Sequence, residues 1–213
     1  MTVIQKPRRS RGLKSMRAAV VASAAVVGLV LGNGTASAAV DNANSVVDGT
    51  GNTITVSQSD TFINSVPPLD NNPLSREIFH NGRASFDVVG PEADDFSGTL
   101  SIGYQIGFPA AIAPTITFSY STPQLEVGDG NAFTVSDILP QLGVSIPISS
   151  GGGIAEVEAA SGSVEGASGS VQLSNFHGFV TGVLGNVTVR PYVKLVSDKG
   201  DTVVTYGSPW RLN

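Results

Sequence analysis

Short runs of alternating apolar and polar residues, separated by glycine and proline, follow one another along most of the chain. Val, Ile, Thr, Tyr and Phe dominate these runs and favour strands, whereas Gly and Pro mark turns. The clearest runs lie at residues 53–56, 85–89, 99–108, 187–196 and 202–206. A short helix is predicted at residues 60–65, before Pro67 and Pro68. The pattern predicts an all-β protein and, taken alone, is typical of a secreted β-sandwich.

The middle of the chain departs from this pattern because it avoids charge. Residues 84–189 contain no Lys or Arg, and residues 96–125 and 138–155 contain no charged residue at all. Between the two uncharged segments lie Glu126, Asp129 and Asp137. A solvated strand normally carries charge on its wet face, which also protects its edge from pairing. Two long uncharged strands therefore indicate that one face meets an apolar surface.

Both uncharged segments alternate with a period of two. Such alternation matches the repeat of a membrane β-strand. The apolar set of the first segment is Ile116, Phe118 and Tyr120, and that of the second is Leu142, Val144, Ile146 and Ile148.

A turn signal stands between the two segments, which are therefore predicted to form a hairpin. It is the pair Asp129-Gly130, since Asp-Gly favours tight hairpin turns. The phase of the alternation changes near Pro123, and Pro140 and Pro147 interrupt the second arm. Proline lacks a ladder donor, so part of each arm is expected to be irregular.

A single hairpin cannot cross a bilayer alone, since both its edges would leave backbone groups unpaired in lipid. The flanking segments carry charges typical of soluble β-structure, including Arg76, Glu77, Lys194 and Lys199. We therefore expect several identical chains to contribute two strands each to one closed barrel. The pattern does not give the number of copies.

The N-terminal segment is predicted to be a secretory signal peptide comprising residues 1–38. Six basic residues precede an uncharged apolar run at 18–31, and Ala36-Ser37-Ala38 provides a small-residue cleavage site. Cleavage would remove six of the twelve Lys and Arg and none of the seventeen Asp and Glu, which leaves a net charge of −11. So acidic a protein is unsuited to binding nucleic acid. It also has no Cys, and hence no disulfides after export.

Several segments resemble the MspA-type mycobacterial porin family. They are Asp60-Thr61-Phe62-Ile63-Asn64, the stretch from Arg76 to Ala84, Gly103-Tyr104-Gln105-Ile106-Gly107-Phe108-Pro109 and the ending Thr205-Tyr206-Gly207-Ser208-Pro209-Trp210. The resemblance runs from about residue 48 to 213 and keeps the order of the motifs. It implies an octamer with a sixteen-stranded barrel stem and β-sandwich rim domains, located in the mycolic-acid outer membrane among its lipids. It also implies passive diffusion of cations and small hydrophilic solutes.

The resemblance also implies domain boundaries. Residues 39–110 form the first part of the rim domain, 111–150 the stem hairpin and 151–213 the second part of the rim domain.

In the family, neighbouring aspartates at the stem turn form the narrowest ring of the pore. The matching positions here are Gly128, Asp129 and Asn131, so one carboxylate of the cluster is kept. The resemblance therefore implies a weaker cation preference and a wider constriction than in the type member. Further lumen acids of the family are also replaced, by Ser149, Ser163 and Ser168.

Other acidic residues are open to two interpretations. Glu126 either lines the lumen or only flanks the turn. Asp137 either lines the lumen or only ends a strand. The three acids that follow the hairpin line either a vestibule or an ordinary solvated surface, and they are Glu156, Glu158 and Glu165.

The histidines and several aromatic residues are assigned to structural roles. His80 and His177 lack metal-ligand spacing, so no metal site is predicted. The aromatic residues assigned to the core of the rim domain are Phe79, Tyr206 and Trp210.

The sequence gives little support to an enzyme. It has no G-x-S-x-G elbow, no H-E-x-x-H helix and no Cys nucleophile, and no cofactor is predicted. Asp94 and Asp95 are adjacent, and neighbouring strand residues point to opposite faces, which opposes joint acid–base catalysis. The alternative to a porin is a secreted β-sandwich that binds carbohydrate or protein, but this alternative does not explain the two uncharged arms.

Overall fold

The computed structural model describes residues 39–119, 139–140, 144–147 and 151–212. Within these residues the chain forms twelve strands and no helix. The strands are β1 (Val40–Val47), β2 (Thr53–Val66), β3 (Arg76–Val89), β4 (Ser97–Phe108), β5 (Ala110–Ser119), β6 (Leu139–Pro140), β7 (Val144–Pro147), β8 (Gly153–Glu165), β9 (Ser168–Leu184), β10 (Val187–Ser197), β11 (Thr202–Tyr206) and β12 (Trp210–Leu212). The all-β prediction is confirmed. In this part of the chain no helix is long and apolar enough to cross a membrane.

The strands form two antiparallel sheets. The first has the order β1-β2-β3-β9-β5-β7, and the second has the order β11-β10-β4-β8-β6 with β12 paired to β10. Apolar side chains from both sheets meet in one buried cluster, which includes Ile54 and Phe86 of the first sheet and Leu100 and Val193 of the second. The period-two alternation of the sequence thus places one face of each sheet in a shared core.

An aromatic group at the centre of this core joins the two sheets. Tyr104 of β4 is fully buried, and its ring stacks on Phe118 of β5 at 5.2 Å and on Phe176 of β9 at 5.8 Å between centroids. Phe118 and Phe176 also contact each other at 5.5 Å. Offset aromatic pairs at such distances add to the stabilisation from burial alone. This group therefore fixes β5 against the second sheet.

The prediction of a helix at residues 60–65 is wrong, since this segment is the second half of β2. The strand continues through a bulge between Ser59 and Phe62, where Asp60 adopts a left-handed conformation with φ 54°. The backbone amide of Thr61 donates to the Asp41 carboxylate at 2.7 Å. Asp before a short apolar run resembles a helix start, but here the aspartate occupies the bulge position of a strand that is paired on both sides.

The predicted core aromatics are less buried than expected. Tyr206 is 43% exposed, and it lies at the edge strand β11 with the Arg190 guanidinium 5.2 Å from its ring centroid. Phe79 and Trp210 are half-buried, with Trp210 packed edge-on against Phe62 at 6.1 Å. The assignment of Tyr206 to the core is wrong. Side chains along β11 alternate between buried and outward positions, and Tyr206 occupies an outward one, where it pairs with Tyr192 of β10.

Candidate functional site

The described strands β5 and β7 are the parts of the predicted hairpin that join the first sheet. β5 pairs with β9 on one side, from Ala110 opposite Leu184 to Ser119 opposite His177. On its other side it pairs antiparallel with β7, from Thr115 opposite Pro147 to Phe118 opposite Val144. The two segments predicted to be hairpin arms are thus hydrogen-bonded neighbours at their bases.

A short part of the second arm lies on the other sheet. The two residues of β6 pair with β8, Leu139 opposite Ser161 and Pro140 opposite Ala160. In this single chain the arm therefore changes sheets between β6 and β7. The pairing of β5 with β7 agrees with the predicted hairpin, whereas the pairing of β6 with β8 departs from it, in an arm that was expected to be partly irregular.

A bulge interrupts the pairing of β5 with β9 shortly after β5 begins. Its register with β9 shifts between Ala111 and Thr115, and Ala113 has a φ of 44°. Gly182 on β9 has a φ of 71°, and a Cβ there would lie 2.5 Å from the Ile112 carbonyl oxygen. This close approach requires glycine at position 182. β5 therefore pairs with β9 on both sides of this bulge, with Ala110 and Ala111 before it and residues 115–119 after it.

The first apolar positions of the predicted membrane arm lie in the protein core and not against lipid. Ile116 is fully buried and Phe118 is 3% exposed, and both belong to the core between the sheets. Their alternation with polar residues therefore reflects packing inside the domain, not contact with lipid. A strand with one face on a protein core and a strand with one face on lipid share the same period, so the sequence pattern does not separate them.

The residues predicted to form the pore constriction lie outside the described residues. They are Gly128, Asp129 and Asn131, together with the candidate lumen acids Glu126 and Asp137. Their positions and roles remain predictions. The nearest described residues are Ser119 before them and Leu139 after them.

Three other candidate acids lie on β8, next to the end of the predicted hairpin. Glu156, Glu158 and Glu165 are all exposed, and buried Val157 separates the first two, so these share the outward face of the second sheet. Their placement fits either a vestibule wall or an ordinary surface, the two alternatives that the sequence left open.

Cationic and polar partners hold two of these acids on the sheet. Lys194 Nζ donates to Glu158 at 3.4 Å, and Gln105 Nε2 donates to Glu156 at 2.8 Å. Burial raises the pKa of Glu158, but hydrogen bonds from Ser161 and Ser101 and the charge of Lys194 outweigh it and leave the pKa below its usual value. The carboxylate is therefore ionised at neutral pH, and Lys194 partly offsets its field.

Both histidines have protein partners, as expected for structural residues. His80 is 4% exposed, and its Nδ1 lies 2.7 Å from the Tyr104 hydroxyl. His177 Nε2 lies 2.9 Å from Glu77 Oε1, and its ring stacks on Phe79 at 5.0 Å. The sequence did not predict these pairings, since His80 and Tyr104 belong to different sheets and no local spacing connects them.

Comparison with known proteins decides the family. A family model described as MspA matches residues 48–211, well over half of the chain. The chain belongs to the MspA family. The resemblance recognised in the sequence is therefore confirmed.

Curated relatives of this MspA-family chain match it over nearly its whole length. Porin MspC of Mycolicibacterium smegmatis is 46% identical over 213 aligned residues, which cover 96% of this chain and 98% of that protein. Porin MspD of the same organism is 44% identical, covering 93% of this chain and all of the relative. Porin MspA is 45% identical, covering 92% and 98%. These relatives are channel proteins by name, which agrees with the prediction that the chain is not an enzyme and does not favour a secreted binding protein.

Proposed function

We propose that this chain is a subunit of an outer-membrane porin. Identical copies, eight according to the family resemblance, each contribute the hairpin at residues 111–150 to a shared water-filled barrel. The channel passes cations and small hydrophilic solutes by diffusion, without a cofactor. Membership of the MspA family over nearly the whole chain carries this proposal.

The register between β5 and β7 supports a hairpin centred on the predicted turn. Phe118 pairs with Val144, so a regular hairpin continued from this pair would be centred on residue 131. That position is Asn131, within the Gly128-Asp129-Gly130-Asn131 turn identified in the sequence. Two independent features, the pairing of the arm bases and the turn residues, thus agree on the same centre.

The same register requires β6 to leave its place beside β8 on assembly. In a hairpin centred on residue 131, Leu139 and Pro140 face positions 123 and 122 of the first arm. Their pairing with β8 comprises two residues at the end of the second sheet, and one of the two is a proline without a backbone donor. Little hydrogen bonding is therefore lost when this segment joins the stem.

The length of the arms fits a bilayer. A hairpin centred on residue 131 has about twelve residues in each arm beyond the Phe118–Val144 pair, or roughly 40 Å at ~3.3 Å per residue. A tilted strand of about 9–11 residues crosses the hydrocarbon core. Ile116 and Phe118 are not needed for this span, because they lie in the protein core.

Assembly with like subunits follows from the hydrogen-bonding needs of these arms. In the part of the chain that the structure describes, β7 ends the first sheet and pairs only with β5. An arm that continued into lipid with a free edge would leave its backbone groups unsatisfied. Strands of neighbouring copies supply the missing partners on both sides, which closes the barrel.

A ring of Asp129 side chains at the turn is the proposed constriction, flanked by Gly128 and Asn131. Two carboxylates about 5 Å apart repel by ~3 kcal/mol at an effective dielectric constant of ~20. A tight ring therefore titrates as a coupled set and favours resident cations. Gly128 leaves one carboxylate per subunit at this level, which lowers the repulsion and widens the passage.

The proposed function is tested by conductance of the detergent-extracted mature protein in a planar bilayer. We expect stepwise, voltage-stable currents, and a mass in detergent of a multiple of the subunit. Folded oligomers that give no current steps would reject the channel.

Asp129→Asn should reduce the preference for cations over anions, because it removes the negative ring while keeping the side-chain shape. Reversal potentials in a salt gradient measure this preference, and they should move toward zero. Asp198→Asn is a matched control, since Asp198 is exposed in the turn between β10 and β11. Equal reversal potentials for Asp129→Asn and the wild type would show that Asp129 is not in the limiting ring.

A further inference from the structure

A buried histidine on β3 has one ring nitrogen without a protein partner among the described residues. His80 is 4% exposed, and the Tyr104 hydroxyl occupies its Nδ1. Its Nε2 is fully buried and makes no hydrogen bond to this part of the chain. Buried polar atoms in native proteins are nearly always satisfied, by the protein or by an ordered water.

Two bulges at the same level of the first sheet open a small cavity beside this nitrogen. The register of β2 with β3 shifts between Ser59 and Phe62, and that of β3 with β9 shifts between His80 and Gly82. The cavity has room for about one water molecule. Both sheets line it, and its polar lining includes His80, Gln58, Thr61 and Tyr192.

We propose that this cavity is a binding site for one water molecule, held by His80 Nε2 together with the polar groups of Gln58 and Thr61. The chemistry of the imidazole favours water over an ion. If the Tyr104 hydroxyl donates to Nδ1, then Nε2 carries the proton and needs an acceptor; in the other tautomer it needs a donor. Water supplies either, whereas an anion can only accept and a cation would lie near the Arg83 guanidinium, which also lines the cavity.

Glycine at position 82 keeps the site open. A Cβ built on Gly82 would lie 3.1 Å from His80 Nε2, where the proposed water has to sit. The added methyl group would therefore take the place of the water without offering a hydrogen bond. Gly153 is a matched control because a Cβ there meets no atom within 4 Å.

High-resolution structures of the mature protein, of Gly82→Ala and of Gly153→Ala test the site directly. We expect an ordered water at a hydrogen-bond distance of about 2.7–3.2 Å from His80 Nε2 in the wild type and in Gly153→Ala, and none in Gly82→Ala. A protein group bonded to Nε2 in the wild type would overturn the proposal. So would an empty cavity in a structure that resolves other buried waters.

Titration of the His80 ring nitrogens by NMR provides a second readout in solution. A bound water helps to solvate the imidazolium, so its removal in Gly82→Ala should move the His80 titration midpoint to lower pH than in the wild type and Gly153→Ala. The Tyr192 hydroxyl, which also lines the cavity, does not interfere, because burial raises its pKa to about 12 and it stays neutral.

A midpoint that stays the same or rises in Gly82→Ala would contradict the proposal. If Gly82→Ala does not fold, the wild-type structure decides alone. Neither readout involves conductance, so the water site and the channel succeed or fail separately.

Discussion

Replacing residues 120–142 by a two-residue Asn-Gly turn should abolish channel conductance completely while the β-domain stays folded. This change keeps both β5 and β7, so the pairing between Phe118 and Val144 is preserved. Asn-Gly is a favoured turn for a short hairpin. The remaining arms would be far too short to cross a bilayer. Planar-bilayer recording and circular dichroism of the same preparation measure the two effects.

Keeping β5 is essential to the interpretation of this experiment. A deletion of the entire hairpin would also remove Ile116 and Phe118 from the core. Truncating a large buried side chain typically costs about 3–5 kcal/mol, so the loss of conductance could then reflect unfolding. The shorter replacement removes only the two-residue pairing of β6 from the described sheets. Retained current steps would place the barrel elsewhere in the chain.

Two smaller deletions serve as matched controls for register. Removing two residues from each arm, 121–122 and 140–141, preserves the pairing between the two arms. Every side chain beyond the deletions also stays on the same face of its strand. Removing Ser121 alone shifts one arm against the other, and a shift by one residue turns its apolar set to the opposite face. We expect channels from the first variant and none from the second. Equal conductance from both would contradict a regular hairpin.

The strands that the sequence predicted correctly are those with an uninterrupted alternation. The runs at 85–89, 99–108, 187–196 and 202–206 lie within β3, β4, β10 and β11. Their alternation survives because each strand has one face on the core and one face outward. Where a bulge interrupts the period, as at Asp60, the local pattern resembles a helix start, and only pairing with β3 reveals the strand.

The local sequence pattern predicted less of the candidate site than of the strands. Ile116 and Phe118 alternate as a lipid-facing strand would, yet both lie in the core, where Phe118 stacks on Tyr104 of β4 in the other sheet. The choice of the constriction, centred on Asp129, came from the family resemblance and not from spacing. A turn aspartate has the same sequence signature whether it lines a pore or only ends a strand.

Acidification from pH 6.5 to pH 4 should lower the free energy of unfolding by about 3 kcal/mol through His80 alone. Burial lowers the pKa of His80 from 6.5 to about 4, so the folded state binds a proton less readily than the unfolded state. Well above pH 6.5 both states are neutral and the contribution does not change. Between pH 6.5 and 4 mainly the unfolded state gains the proton, and stability falls. Urea unfolding followed by the fluorescence of Trp210, the single tryptophan, measures this dependence.

His80→Gln is the variant that isolates this effect, because an amide can bond the Tyr104 hydroxyl but does not titrate in this range. It should be less stable than the wild type at pH 7 and show a flatter profile between pH 6.5 and 4. Titration of Asp48 does not account for a fall in stability between pH 6.5 and 4. Although burial opposes it, hydrogen bonds from Asn52 and Thr50 lower the pKa of Asp48 to about 2, so its contribution is lost only below about pH 4. The same slope in His80→Gln and the wild type would contradict the assignment.

The acid effect should extend to the channel, because the aromatic group connects His80 to the base of the hairpin. Tyr104 bonds His80 and stacks on Phe118, the residue that pairs with Val144. A charged His80 at this buried position destabilises the packing that holds β5 in the first sheet. We expect open channels to close irreversibly faster at pH 4 than at pH 7, and His80→Gln to reduce the difference. Equal lifetimes at both pH values in the wild type would show that the stem is held independently of this group.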